Sequence, residues 1–158
     1  MVASWTLLLC LVVPGCLFSQ TRPAGETSSG EDLPIIWEAS GTYSRLSRSV
    51  RIIARDRATL AQVPLAEVPV DFKTQMVLIA GLGPTASDNL GIRVKRVWRE
   101  GSQIRVLERH IHPGPDEGQG LRPASPWTIA VVPRSDLNIE GYSARVPKGL
   151  LSHAPAQR

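Results

Sequence analysis

The sequence predicts a mostly β fold with one short helix, built as a small β-sandwich or a partly open barrel. Three observations predict it. Two apolar runs of strand length, residues 76–80 (MVLIA) and 127–132 (WTIAVV), are bounded by glycine or proline before a helix could complete three turns. Two further segments, 92–98 and 104–111, flank Glu100-Gly101-Ser102, which is a hairpin turn signal. Finally, 13 Gly and 13 Pro in 158 residues suit a strand fold rich in loops. That length allows one domain with a real core and is short for two.

The chain begins with an apolar stretch, residues 5–18 (WTLLLCLVVPGCLF), which is too short to span a bilayer easily but suits a signal-peptide core. Residues 1–4 carry no Lys or Arg beside the terminal amine. Val13-Pro14-Gly15-Cys16 resembles a bacterial lipobox, with a small residue before a cysteine that becomes the lipidated N-terminus. On that reading Cys16 carries the acyl chains and ties the domain to a membrane. The other readings are an ordinary secretory signal cleaved near Ser19 or Gln20, and a cytosolic start. Both cysteines, Cys10 and Cys16, lie in this stretch, so no disulfide framework, cysteine nucleophile or thiolate metal site is expected further on.

Residues 21–33 (TRPAGETSSGEDL) read as a flexible tether. A first strand is expected in 34–43, broken at Gly41, and a second in 49–54, where Val50, Ile52 and Ile53 are flanked by arginines. Asp56 is placed to cap one short helix over 57–63, with Leu60 and Val63 facing the core and Pro64 ending it. Phe72 then anchors the entry to the 76–80 strand, and Gly81-Leu82-Gly83-Pro84 ends it. Period-two alternation puts Ile92, Val94 and Trp98 on one face of the next strand, with Arg93, Lys95, Val97 and Arg99 on the other. Its hairpin partner has Ile104 and Val106 on one side and Arg105, Leu107 and Arg109 opposite. Residues 113–126 form a long loop, 127–132 a central strand apolar on both faces, and 138–146 an edge strand. The expected organisation is thus a signal over 1–20, a tether over 21–33, a β domain over 34–147 and a disordered tail over 148–158.

Several of these pieces, in this order, resemble one family. They are Val70-Asp71-Phe72-Lys73-Thr74-Gln75-Met76-Val77-Leu78-Ile79, the Gly81-Leu82-Gly83-Pro84-Thr85 turn, the 92–111 hairpin, and Ser125-Pro126-Trp127-Thr128-Ile129-Ala130-Val131-Val132-Pro133. The stretch 51–133 resembles the PrcB-like family, the C-terminal domains of a bacterial protease-complex subunit. The resemblance implies a non-catalytic cell-envelope protein or lipoprotein, acting as an accessory subunit that binds or stabilises a protease or another envelope complex. After Pro84-Thr85 the family runs Gly-Gly-Tyr, whereas this chain has Ala86-Ser87-Asp88-Asn89-Leu90-Gly91.

The sequence offers little for catalysis. It contains no Gly-x-Ser-x-Gly elbow, no phosphate-binding glycine loop and no His-Glu-x-x-His helix. Ser87 and Ser125 lack any local nucleophile signature, so no catalytic residue, cofactor or metal is assigned. Glu108, His110 and His112 share one face of an extended strand at i, i+2 and i+4, which is the one arrangement a zinc enzyme could use. The ordinary reading is a strand-end cluster meeting solvent.

The formal charge of +4 permits acidic partners without demanding nucleic acid. Arg93, Lys95, Arg99, Arg105 and Arg109 form a basic face with no interleaved aromatics, which reads first as a solvated surface and second as a contact face. The partner-binding residues expected on loops are Pro84, Thr85, Asp88, Asn89, Arg122 and Pro123. Their loops are also similar to the tip loops of chagasin-type cysteine-protease inhibitors, which wedge a Pro-Thr loop, a glycine loop and an Arg-Pro-aromatic loop into a cleft. Trp127 opens an apolar strand, so it is expected in the core.

Overall fold

The computed structural model describes residues 30–112, 114 and 122–151. The expected signal, Cys16 and most of the expected tether lie outside the described residues, as does the greater part of residues 113–126. Eight strands and one helix follow in the order β1 (Glu31–Leu33), β2 (Trp37–Gly41), β3 (Val50–Ala54), α1 (Arg57–Ala61), β4 (Gln75–Gly81), β5 (Gly91–Glu100), β6 (Gln103–Ile111), β7 (Trp127–Pro133) and β8 (Asn138–Ile139). They form two four-stranded sheets, β1-β5-β6-β8 and β2-β7-β4-β3. The architecture is a β-sandwich, and the sheets do not close into a barrel.

The expected strand over 76–80 is the middle of β4, which pairs antiparallel with both β3 and β7. Residues 76–80 and 128–132 are fully buried because both faces of this sheet are covered. Ile53, Met76, Leu78, Ala130 and Val132 face the other sheet and pack against Val94, Val97, Ile104 and Ile139. Ile52, Val77, Ile79, Ile129 and Val131 face the opposite way, under Leu46, Val63 and Leu150, with Leu60, Val68 and Phe72 partly buried beside them. The connection through α1 thus adds a third layer to the sandwich.

Asp56 caps α1 as expected: its carboxylate accepts from the Thr59 N–H at 2.7 Å and the Thr59 hydroxyl at 3.0 Å. The backbone hydrogen bond from Thr59 is the largest cause holding that carboxyl below its usual range.

Four sequence expectations are corrected. First, β5 carries a β-bulge between Val94 and Arg96, since Val94 opposes Glu108 while Arg96 opposes Leu107. Lys95 is the extra residue, and the alternation changes phase there. Val97 therefore faces the core with Ile92 and Val94, and Trp98 turns outward with Arg96. Second, the last three residues of the expected tether are β1, which pairs with 97–99 of β5. Third, residues 138–146 are not a continuous edge strand: only Asn138–Ile139 pair, and they run parallel to β6. Fourth, the expected disordered tail begins with ordered chain. Leu150 is buried and Leu151 bridges to Leu46. None of these short pairings has the length to leave a periodic signal.

Candidate functional site

Three connections, 42–49, 82–90 and 112–126, leave the same end of the sandwich, because they join the ends of β2, β4 and β6 to the starts of β3, β5 and β7. The first half of this end is fixed by glycine geometry. Gly83 has φ +72, and a Cβ there would lie 2.7 Å from the Ser49 nitrogen, so only glycine fits the turn out of β4. Thr85 then forms an antiparallel bridge with Ala124, with N–H donors in both directions at 2.8 and 3.0 Å. That bridge sets residues 84–86 alongside residues 123–125, although the two segments are far apart in sequence.

A hydroxyl network holds the 42–49 connection against these two. The Ser44 hydroxyl donates to the Ser125 carbonyl at 2.8 Å and lies 2.8 Å from the Ser125 Oγ. The Ser125 hydroxyl is buried and contacts the Leu46 carbonyl at 3.2 Å. The Trp127 indole N–H donates to the Tyr43 carbonyl at 2.9 Å, which ties the core strand to the 42–49 connection. Trp127 is thus a core residue and does not stand out as a wedge. The Tyr43 hydroxyl reaches Asp88 at 3.4 Å, and the Thr85 hydroxyl donates to the Ser87 carbonyl at 3.0 Å. Asp88 and Asn89 line a cleft of about 310 Å3 together with Ser40, Thr42, Arg93 and Ile111. Every loop residue expected to bind a partner therefore lies at one end: Pro84, Thr85, Arg122 and Pro123 along the bridge, Asp88 and Asn89 at the cleft.

The two serines considered as nucleophiles serve local structure. Ser125 is spent on the Ser44 and Leu46 contacts, and the Ser87 Oγ accepts from the Asn89 N–H at 3.2 Å.

The zinc arrangement does not assemble. Glu108 points between the sheets, where the Arg51 Nε lies 2.6 Å from Oε1 and 2.8 Å from Oε2. The Tyr142 hydroxyl donates to Oε1 at 2.6 Å. Both carboxylate oxygens are occupied, while His110 and His112 are exposed with ring centroids 6.4 Å apart. No group of three or more His, Cys, Asp or Glu is placed to hold a metal among the described residues. Burial first, and then the neighbouring Glu108 charge, push the Tyr142 hydroxyl far above its ordinary range.

The basic face also changes membership. Arg99 pairs in register with inward-facing Ile104 and belongs to the other side of the sheet, and Lys95 sits in the bulge. Arg96, which the sequence pattern missed, joins Arg93, Arg105 and Arg109 on the outer face. Most of these charges are already paired. Arg96 lies 2.7 Å from Asp32 and stacks 5.0 Å over the Trp98 ring. Arg105 bonds Glu100 at 2.9 Å and also contacts Glu140, and Arg93 lies 3.9 Å from Glu38. Arg109 makes no ion pair among the described residues.

Comparison with known proteins finds no matching family model, no similar curated protein and no similar solved structure. No helix among the described residues is long and apolar enough to cross a membrane.

Proposed function

We propose that the chain is a non-catalytic, PrcB-like interaction domain of the bacterial cell envelope. In this reading it is anchored by a lipid on Cys16 and serves as an accessory subunit that binds or stabilises a protease. The observation that carries it is the Thr85–Ala124 bridge. It fixes two proline-containing loops side by side on a rigid sandwich, and a surface of preformed loops on a stiff scaffold suits binding to another protein. The hydroxyls nearby are engaged in structural bonds, which favours a contact role over hydrolysis.

The test is co-purification from envelope extracts in mild detergent, with intact-mass analysis of the N-terminus. A stoichiometric protease that is lost when residues 86–90 are replaced by a shorter glycine linker supports the reading. An N-terminus without acyl mass removes the anchor, and recovery of the protein without a partner removes the subunit role.

The same bridge favours one second reading, a loop-wedge inhibitor of cysteine proteases. It predicts slow-dissociating, stoichiometric inhibition of a papain-type protease, abolished by the same loop replacement. An accessory subunit leaves that protease active.

A further inference from the structure

Among the described residues, strand β6 has a long free edge. Its partner β5 covers one side along the full length, but β8 covers the other side only at Gln103 and Ile104. After Ile139 the chain turns away: the Glu140 N–H donates to the Ile104 carbonyl, and Ser143 then pairs with Arg51 and Ile53 of β3. Among the described residues, no backbone hydrogen bond reaches the outer edge of β6 beyond Ile104.

The alternation of an antiparallel ladder identifies the free groups. Because the Ile104 carbonyl points off the edge toward Glu140, the backbone groups of Val106, Glu108 and His110 point the same way. This edge lacks proline and a bulge as protections against pairing, since residues 105–111 contain no proline and the bulge lies on β5, and its protection is limited to the charges of Arg105, Glu108 and Arg109. Beside it, on the outer face, Leu107 and Ile111 are 43% and 40% exposed, and the guanidinium of Arg109 stands between them in sequence without an ion pair among the described residues.

We propose that the β6 edge is a strand-addition site for an extended segment of another protein, one in which an acidic residue is flanked two positions away on each side by apolar residues. The added strand would bond to the backbone of Val106, Glu108 and His110. Its outward side chains would meet Leu107 and Ile111 with apolar groups and Arg109 with a carboxylate. A second copy of this chain is the poorer occupant. Antiparallel pairing of β6 with itself centred on Arg109 sets like charges directly opposite. Centring it on Glu108 places Arg105 and Arg109 of both copies on one continuous face. This surface meets the loop contact proposed above at Ile111, which also lines the cleft beside Asp88 and Asn89, and Arg109→Glu and the 86–90 replacement tell the two contacts apart.

The probe is a set of capped nine-residue peptides with valine, glutamate and valine at positions i, i+2 and i+4 and threonine between them, offset in register, with scrambled peptides of the same composition as controls. Binding is read by fluorescence anisotropy on the full chain, and backbone contact by amide exchange. The expected result is binding by at least one patterned peptide and slowed exchange at Val106, Glu108 and His110. Arg109→Glu should weaken it by roughly tenfold through loss of the charge pair. His110→Pro removes one edge N–H and should weaken it as much, while thermal melting reports whether that variant is folded. Binding indifferent to both substitutions, or no binding by any peptide, overturns the proposal. So does protection of these amides in the free protein together with a dimer in sedimentation, which assigns the edge to a second copy.

Discussion

Glu108 accepts bonds from both sides of the sandwich, from Arg51 of β3 and from Tyr142 just after β8. Arg51 also donates to the Ser49 hydroxyl and the Val50 carbonyl at 3.1 Å, so the guanidinium ties the start of β3 to the far sheet. The Arg51 and Glu108 side chains are only 23% and 14% exposed, and neither can be left without its partner cheaply. Glu108→Ala is expected to cost about 2 kcal/mol in urea unfolding, because it strands a mostly buried guanidinium and a partly buried phenol. An Arg51→Met, Glu108→Leu double variant should cost less than the sum of its singles, and strict additivity would remove the coupling. Tyr142 adds a pH dependence. Its hydroxyl stays protonated in the folded state above the ordinary value of 10, so the unfolded chain loses that proton first. The stability this group provides is complete below about pH 10 and falls as pH rises above it. Tyr142→Phe should flatten that alkaline decline, measured as unfolding free energy at about pH 8 and about pH 10.5. An unchanged slope would mean that other groups produce it. None of this cluster is legible in the sequence. Arg51 and Glu108 lie 57 positions apart, and Glu108 reads locally as the start of a Glu-x-His-x-His pattern.

At the scale of the element, what the sequence reveals depends on how regular the strand is. β4 and β7 carry continuous apolar runs between glycine and proline, and both are found where that pattern puts them. β5 is found too, but its faces could not be assigned from alternation past residue 94. One inserted residue reverses inside and outside, and the bulge leaves no mark in the composition of Val94-Lys95-Arg96-Val97. The bulge makes a sharp expectation. Deleting Lys95 restores strict alternation while leaving Val94 and Val97 inward and Arg96 and Trp98 outward. That deletion should keep a cooperative fold and near-UV circular dichroism, at a cost of about 1–2 kcal/mol for lost twist and local strain. Deleting Leu78 from the unbulged centre of β4 should abolish folding, since half of a strand buried on both faces would change sides. If the Lys95 deletion unfolds the protein as completely, the bulge is a requirement of the sheet and the phase change is not its main effect.

The whole molecule is a three-layer object, and the third layer was hardest to foresee. Sheet β2-β7-β4-β3 packs one face on the other sheet, and its opposite face needs a cover that contains no strand. The connection through α1 provides part of it with Leu60, Val63, Val68 and Phe72, all within one apolar-spaced stretch. The remainder comes from Leu46 and from Leu150 and Leu151, which sit in segments with no secondary-structure signal. Ser47 fixes this last piece: its N–H donates to the Leu150 carbonyl at 2.8 Å, and its hydroxyl reaches the Leu150 carbonyl at 2.8 Å as well. A chain ending at 147 would therefore expose Leu46 and part of the Ile52 and Ile79 face. Leu150→Ala is expected to lower stability by about 2–4 kcal/mol, the usual range for emptying a buried leucine site. Truncation after Pro147 should cost at least as much, because it also removes Leu151 and the acceptor for Ser47. Both are read by urea denaturation, and the truncated form should bind a dye for exposed apolar surface more strongly than the full chain. Equal stability of the truncated and full chains would mean that Leu46 and the α1 connection cover that face unaided, reducing residues 148–151 to a passive extension.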